Sequence, residues 1–551
     1  MMKKITRTAC CLSLLIFVQI SLGIGQEVVL DGRSLTPKQV TQVAKNAVKV
    51  KISPVARKRV VKSQKLLMLA ARKGHKIYGL TVGVGQNKDK KMLDAQGNLS
   101  KEVIEASQKF NDGLIRAHSA GAGKPMPQET VRAMLVTRLN AILFGATGVQ
   151  PRVVNLFRDF LNKNILPVIP SKGSVGEADI TINAHIAQAM IGEGYVHYNG
   201  KKILASEALK QNGIKKLVPF GKDALSIFSS NTYSAALGAL TLHELSQAIQ
   251  VAKLVFALSM EGFNGNIEPF LKHANTIRPF KMVNDMAKDF RTILKGSYLW
   301  DKSDERALQD PLSYRTSAYT LGSLEGAQKE LVQILKIQLN SSDDNPGVVL
   351  DVEAPSKRGE EFSHYASEKG LKGAVIPSAN FSPLPWVISF EKAAIALAHA
   401  SSASTQRTIK MADPHFTHLS RFLGTKKTVH AYGAIQKVFV ALNSQNQELA
   451  IPVSFNSYAV AGNIEDVATN APRVVHRVRQ AVDNLYYILG MELMHAAQAI
   501  DLRLQKNASL KLSPVTRKFW SAFRKKVSFM EVDRALSPDI KKAYEFVKSY
   551  K

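Results

Sequence analysis

Two carboxylates stand where a glycine-punctuated turn runs into a helix, in Gly173-Ser174-Val175-Gly176-Glu177-Ala178-Asp179-Ile180-Thr181-Ile182-Asn183-Ala184-His185. Gly173 and Gly176 admit backbone angles closed to other residues, and bare amides at a helix start favour negative charge. Glu177 and Asp179 are therefore placed to hold or develop charge, and Asp179 is also the natural N-cap. By residue type alone, Glu177, Asp179 and His185 would suit an oxygen-rich cation site. They match no metal-ligand spacing, so no metal is expected. His415 and His418 read as ordinary surface. A second stretch able to do chemistry is Tyr78-Gly79-Leu80-Thr81-Val82-Gly83-Val84-Gly85, whose glycines demand a tight loop with Tyr78 at its mouth. No strand pattern leads into it and no acidic residue follows at dinucleotide spacing, which argues against a phosphate loop.

Helices must position these groups. The apolar spacing predicts a helix over Ile180 to Met190 stopping near Gly192, and helical periodicity over Trp386 to Thr408 and Arg473 to Leu502. Val28 to Leu30 reads as a short extended piece, and Thr36-Pro37 as the capped start of a helix. The charged run Val352 to Gly373 reads as a surface excursion. Long helices, few alternating runs and no repeat signature predict an all-α protein.

The chain has 551 residues, 45% hydrophobic and 21% charged, enough for a large core. Residues 1–25 have the form of a secretory signal, with Lys3, Lys4 and Arg7 ahead of the apolar run Ala9 to Leu22. The expectation is a periplasmic or secreted protein with no stable membrane insertion after cleavage. Both cysteines, Cys10 and Cys11, lie in that segment, so the mature chain has neither disulfides nor thiolate metal sites. A net charge of +30 raises the question of nucleic acid. The lysines are scattered, without a basic run or interleaved aromatics, so no nucleic-acid partner is expected. An anionic substrate, an anionic surface or solubility would each account for the charge.

Gly173 to Gly176, with His185 and Ile191-Gly192-Glu193-Gly194 beyond it, resembles the active-site segment of the aromatic amino acid ammonia-lyases, most closely the histidine enzymes. The resemblance extends in order along nearly the whole chain after the leader. Tyr78 to Gly85 is similar to the loop that supplies the family's tyrosine base, and Leu114 to Gly123 to the segment whose histidine, here His118, lies over the substrate ring. Met134 to Asn140 continues the pattern. Gln309-Asp310-Pro311-Leu312-Ser313-Tyr314-Arg315 matches the run that ends in the arginine clamp for the substrate carboxylate. Asp344-Asn345-Pro346, Asn380-Phe381 and Asn463-Ile464-Glu465-Asp466 match three further motifs, and Glu465 is the glutamate that meets an imidazole. Leu489 to Leu493, Ala496 to Arg503 and the tail Val527 to Ile540 are close to the bacterial histidine enzymes. The resemblance implies a mainly α fold with a mixed N-terminal lobe (26–220), a long central helical bundle (221–510) and a helical tail (511–551). It also implies a homotetramer whose sites draw on several subunits.

The departures are as informative. The family's Ala-Ser-Gly, which cyclises to the electrophile methylidene-imidazolone, is replaced by Glu177-Ala178-Asp179, one residue short if His185 is kept in register. Ser229 takes the place of the asparagine that steadies the electrophile, with Asn231 able to substitute only if the helix start shifts. Leu312 replaces a tyrosine and Ser382 a histidine. The resemblance thus implies that the substrate-holding residues Tyr78, His118, Arg315 and Glu465 survive while the amine-activating ones are gone, so no cofactor is expected. A primary amine leaves badly without an electrophile, whereas a quaternary ammonium is already cationic and leaves readily. The expectation is an enzyme of the ergothionase-type branch, a cofactor-free lyase eliminating trimethylamine from an imidazole amino-acid betaine such as ergothioneine or histidine betaine. Glu177 and Asp179 would hold the cationic head with Phe228 or Tyr314 beneath it. Tyr78 would be the base, with Arg315 as the group that tunes it. Ser229, Asn231, Gln309, Tyr314, Asn345, Asn380 and Phe381 complete the expected substrate contacts. An ordinary ammonia-lyase and an inactive exported binding protein are the alternatives.

Overall fold

A computed structural model describes residues 27–78, 80–81, 101–355, 357–456 and 458–550, with the side chains of 101–103 and 360 outside the description. The leader and the loop positions Gly79 and Val82 to Gly85 therefore lie outside the described residues. The N-terminal part runs β1 (Val28–Leu30), α1 (Pro37–Lys45), β2 (Val50–Ile52), α2 (Pro54–Arg72), α3 (Lys101–His118), β3 (Ala122–Pro125), α4 (Gln128–Leu143), α5 (Pro151–Asn162), β4 (Leu166–Pro167), β5 (Pro170–Lys172), α6 (Ile180–Met190), β6 (Tyr195–Tyr198), β7 (Lys201–Leu204) and α7 (Ala205–Gln211). The helical body follows as α8 (Asp223–Phe228), α9 (Thr232–Phe263), α10 (Lys272–Thr276), α11 (Lys281–Ile293), α12 (Leu312–Arg315) and α13 (Ser317–Leu339). After β8 (Gly347–Leu350), α14 (Gly359–Ser363), β9 (Tyr365–Glu368) and β10 (Leu371–Ile376) come α15 (Leu384–Met411), α16 (Pro414–Thr417), α17 (Gln436–Leu449), α18 (Ala471–Lys506), α19 (Pro514–Arg524) and α20 (Ser537–Ser549).

The predicted class and several bounds hold. β1 and α6 have the expected limits, and α1 starts at Pro37 behind a capping box in which Thr36 accepts from the Gln39 amide. The charged run Val352 to Gly373 lies largely at the surface, as read, but carries regular structure. It holds α14, β9 and the first half of β10, and the antiparallel sheet β8-β10-β9 lies on α2. Ala366, Val348 and Val375 bury against Leu66 and Leu69 there. Alternation over so few apolar positions is easily hidden by charged turns.

α9, 32 residues, and α18, 36 residues, form the axis of the bundle. They approach closely where Gly262 meets Ala496, since a Cβ there would fall 2.9 Å from the Ala496 carbonyl oxygen. α15 packs along α18 and α13 along α15. A buried ion pair locks that contact: Arg407 Nε donates to Glu492 at 2.6 Å, with Ser404 and Ser317 completing the network. Removing one partner of such a pair costs about 3–5 kcal/mol, because the other is left charged and buried. Phe256, Phe270 and Phe290 interlock, and the Arg407 guanidinium lies 5.2 Å over the Phe256 ring. Among the described residues no helix is long and apolar enough to cross a membrane.

Candidate active site

The turn before α6 is clamped from three sides. Gly176 has φ 85°, and a Cβ on it would fall 2.4 Å from the Ala471 nitrogen, so only glycine lets it meet the start of α18. Asn470 donates its amide to the Val175 carbonyl at 2.7 Å, and Thr469 its hydroxyl to that of Gly176 at 3.0 Å. Ala178 is held at φ 57°, a conformation that costs a residue with a Cβ roughly 1 kcal/mol or more. Its amide donates to Asn231 Oδ1 at 3.2 Å, and Asn231 Nδ2 donates to the Phe381 carbonyl. The fully buried Asn231 therefore ties the turn to the segment leading into α15.

This arrangement separates the two carboxylates by role. Asp179 occupies the N-cap position of α6 but makes no side-chain cap there. It accepts from the Ser234 amide at 2.8 Å, the Ser234 hydroxyl at 2.9 Å and the Ser174 hydroxyl at 2.5 Å, and so caps α9 instead. Asp179 is completely buried, which pushes its carboxyl up to about 6 against those hydrogen bonds. With its acceptors engaged it is a positioning residue, which corrects the expectation that it holds a cationic head.

Glu177 is half-buried, and its Oε1 is buried without a hydrogen-bond partner. Burial pushes its carboxyl up to about 7, a hydrogen bond from Ser382 opposes the rise, and the Glu465 carboxylate adds to it. Glu465 itself sits exposed on a loop closed by the Val460 amide donating to its carbonyl at 2.9 Å. The turn thus presents two neighbouring carboxylates, one of them poorly solvated, which is an environment for a cation.

His118, at the end of α3, stacks on Phe228, at the end of α8, with ring centroids 5.3 Å apart and an interplanar angle of 19°. Phe228 is sealed in the core at 1% exposure with His118 stacked on it, so it cannot lie beneath a cationic head, contrary to expectation. His118 Nδ1 donates to the Leu114 carbonyl at 2.8 Å, which fixes the ring. Asn111 joins α3 to α8 by donating to the Gly221 carbonyl and accepting from the Ala224 amide, both at 2.9 Å. Ser229, 8% exposed, ends α8 next to Phe228. Tyr78 is half-buried against the same core, and its neighbour Leu80 faces Gly221 at the base of α8. His185 is otherwise engaged: its Nε2 accepts from the Gly121 amide at 3.3 Å and its Nδ1 meets Gln188 Oε1 at 3.2 Å. Among the described residues no three His, Cys, Asp or Glu side chains gather as a metal-binding group.

The remaining predicted residues fall into two places. Phe381 and the exposed Asn380 lead into α15 near Glu177, and Asn345 accepts from the Ser378 amide at 2.9 Å beneath them. Gln309, Tyr314 and Arg315 lie at the opposite end of α9. Tyr314 is fully buried, stacks on Phe263 at 4.0 Å and places its hydroxyl 3.3 Å from Ser259 and from the Arg407 carbonyl. It is a core residue and cannot lie beneath a substrate, contrary to expectation. Arg315 Nη1 donates to Gln309 Oε1 at 2.6 Å, and its Nε is buried without a hydrogen-bond partner. Asn231 precedes the first turn of α9 and Tyr314 touches its last, so the two are about 45 Å apart at 1.5 Å per residue. Arg315 is therefore beside neither Glu177 nor Tyr78 of the same chain.

Two supporting pairs and one contact escaped the sequence reading. Arg138 pairs with Asp343 at 3.0 Å, and Asp343 also accepts from the Asn231 amide at 2.8 Å. Lys222 pairs with Asp344 at 3.2 Å, all four side chains being buried. Ser382, noted only as a replaced histidine, is the donor to Glu177. These partners are over a hundred residues apart in sequence, and no spacing signals them.

Known proteins agree with this architecture. The profile of the aromatic amino acid lyases ("Aromatic amino acid lyase") matches residues 35–525. The histidine ammonia-lyase of Treponema denticola is 32% identical over 94% of this chain and 96% of its own, and that of Caldanaerobacter subterraneus subsp. tengcongensis 30% identical over 95% and 97%. Among solved structures, the ergothioneine-degrading enzyme ergothionase from Treponema denticola, in complex with desmethyl-ergothioneine sulfonic acid, is 38% identical. Its TM-score is 0.84, with 95% of this chain and 99% of that one covered. The histidine ammonia-lyase of Trypanosoma cruzi, 23% identical, shares the fold with a TM-score of 0.80 over 95% and 94% of the two chains. The chain belongs to the aromatic amino acid lyase family.

Proposed function

We propose that this carbon–nitrogen lyase eliminates trimethylamine, without a cofactor, from the betaine of an imidazole amino acid such as ergothioneine or histidine betaine. The observation that carries the proposal is Glu177. Where an electrophile would have to capture an amine, the turn offers a half-buried carboxyl with an unpartnered oxygen and a second carboxylate, Glu465, beside it. Such a recess suits a permanent cation and repels nothing in it, whereas it supplies no atom that a primary amine could attack. The residues of the turn do not fit methylidene-imidazolone. Between Gly176 and Ile180 there is no serine to dehydrate, and the Asp179 side chain is committed to the start of α9. The likeness to ergothionase supports the same substrate class.

In this reading the ring lies against His118, which Phe228 backs, the quaternary ammonium against Glu177, and Tyr78 takes the proton from Cβ. The C–H electron pair becomes the Cα=Cβ bond, the Cα–N bond breaks, and trimethylamine leaves neutral with the bonding pair, giving an aryl acrylate. Arg315 binds the carboxylate from another subunit. The distance along α9 supports that composite site and with it a homotetramer. The reading also takes the protein as exported behind residues 1–25.

The test is to incubate purified mature protein with ergothioneine, histidine betaine and histidine, following the conjugated acrylate by ultraviolet absorbance and the released amine. Product from a betaine but not from histidine, abolished by Tyr78→Phe, is expected. Product from histidine would restore an electrophile, and no product from any substrate would favour a binding protein.

A further inference from the structure

The cations are spread along the chain, but one stretch of it lacks any acidic residue. Between Gly32 and Thr81 there are thirteen Lys and Arg and no Asp or Glu, so fifty residues supply thirteen of the thirty excess charges. Acidic groups offset part of this charge: Asp351 pairs with Lys62 at 2.5 Å, Glu244 with Lys45 at 3.1 Å, and Asp31 lies beside Arg59. Lys58, Lys65 and Arg72 recur at seven-residue spacing on α2 and are all exposed, so they form one stripe along the helix. Lys51 on β2 is exposed too, and it pairs in register with Val29 on β1. Two apolar side chains stand out among these cations, Val29 at 53% and Val55 at 64% exposure. A cleft of about 530 Å³ opens at the same face, lined by Arg33, Lys58, Arg59, Lys62 and Phe144 and by Asp351, which holds Lys62.

The chemistry of this face selects its partner. Lysines outnumber arginines nine to four in the segment, and its one aromatic side chain, Tyr78, is half-buried, so there is no stacking platform for bases. Mobile ammonium groups around small exposed apolar side chains suit a fluid, densely anionic surface, to which each lysine adds without needing a fixed geometry. The attraction is peripheral, since no described helix can span a bilayer. We infer that the α1–α2 face of the N-terminal lobe docks the protein onto anionic phospholipid, with the cleft beside Arg33 and Lys58 seating a headgroup phosphate.

Flotation of the full-length mature protein with vesicles tests this. Wild type is expected to float with phosphatidylcholine vesicles containing phosphatidylglycerol at low salt, and to stay behind with pure phosphatidylcholine or at high salt, where charges are screened. The triple variant Lys51→Glu, Lys58→Glu, Lys65→Glu should lose binding by about tenfold or more with its unfolding midpoint retained. A control, Lys525→Glu, Lys526→Glu, Lys542→Glu, makes the same change in net charge on exposed positions of the C-terminal region. Equal losses in the two variants, or no flotation of wild type, would overturn the assignment. Tighter binding of wild type to duplex DNA or RNA than to the vesicles would overturn it in favour of a nucleic-acid face.

Discussion

Asp179 and Ser234 join two helix beginnings: the carboxylate at the head of α6 accepts both the amide and the hydroxyl of the third residue of α9. The chemical turn and the 32-residue axis of the bundle therefore share one buried acid, and the shape of the site depends on it.

Asp179→Ala is expected to destabilise the protein by about 2–4 kcal/mol, because it strands the buried donors of Ser174 and Ser234. Asp179→Asn should cost less, since one acceptor oxygen remains. Urea unfolding of the two variants against wild type measures this.

Glu177 makes cation binding depend on pH. Its carboxyl is raised to about 7 from an ordinary 4.5, so the folded state holds the proton more tightly than the unfolded one. The contribution to folding therefore falls as pH rises from 4.5 to 7, and the folded recess becomes anionic as pH passes through about 7. Betaine affinity should rise between pH 6 and pH 8 by about tenfold, and Glu177→Gln should bind more weakly with that dependence flattened. Calorimetric titration across this range, with wild type and variant in parallel, provides the comparison.

The separation of Tyr78 and Arg315 by the length of α9 predicts complementation between inactive chains. Tyr78→Phe and Arg315→Ala are each expected to lose at least about a hundredfold in kcat/KM. Co-expressed with different tags and purified through both, they should regain activity, because some sites receive Tyr78 from one chain and Arg315 from the other. No recovery in a mixed oligomer would place both residues in one chain's site.

His495 controls part of the acid sensitivity. It is fully buried between Tyr432 and Phe439, and burial lowers its pKa from 6.5 to about 4. Below pH 6.5 the unfolded chain takes up a proton that the folded one refuses, so stability falls from pH 6.5 down to about 4, by roughly 3 kcal/mol at most. His495→Phe should remove that component, seen as a shallower decline of the unfolding midpoint over this range.

Much of the architecture was legible in the chain itself. Periodicity marks α6 and parts of α15 and α18, and Thr36-Pro37 marks the start of α1, because these signals act within a few residues. Replacement of Ala-Ser-Gly by Glu177-Ala178-Asp179 is likewise a fact of sequence, and it alone directs attention away from an electrophile. What the sequence could not decide is which way each side chain faces. Glu177 and Asp179 are two residues apart, yet one opens toward Ser382 and Glu465 while the other is sealed against α9. Tyr314 and Arg315 are adjacent, yet the first is core and the second partners Gln309. Those outcomes depend on contacts made between segments dozens to hundreds of residues apart, where burial and hydrogen-bond satisfaction choose among side chains that local propensity treats alike.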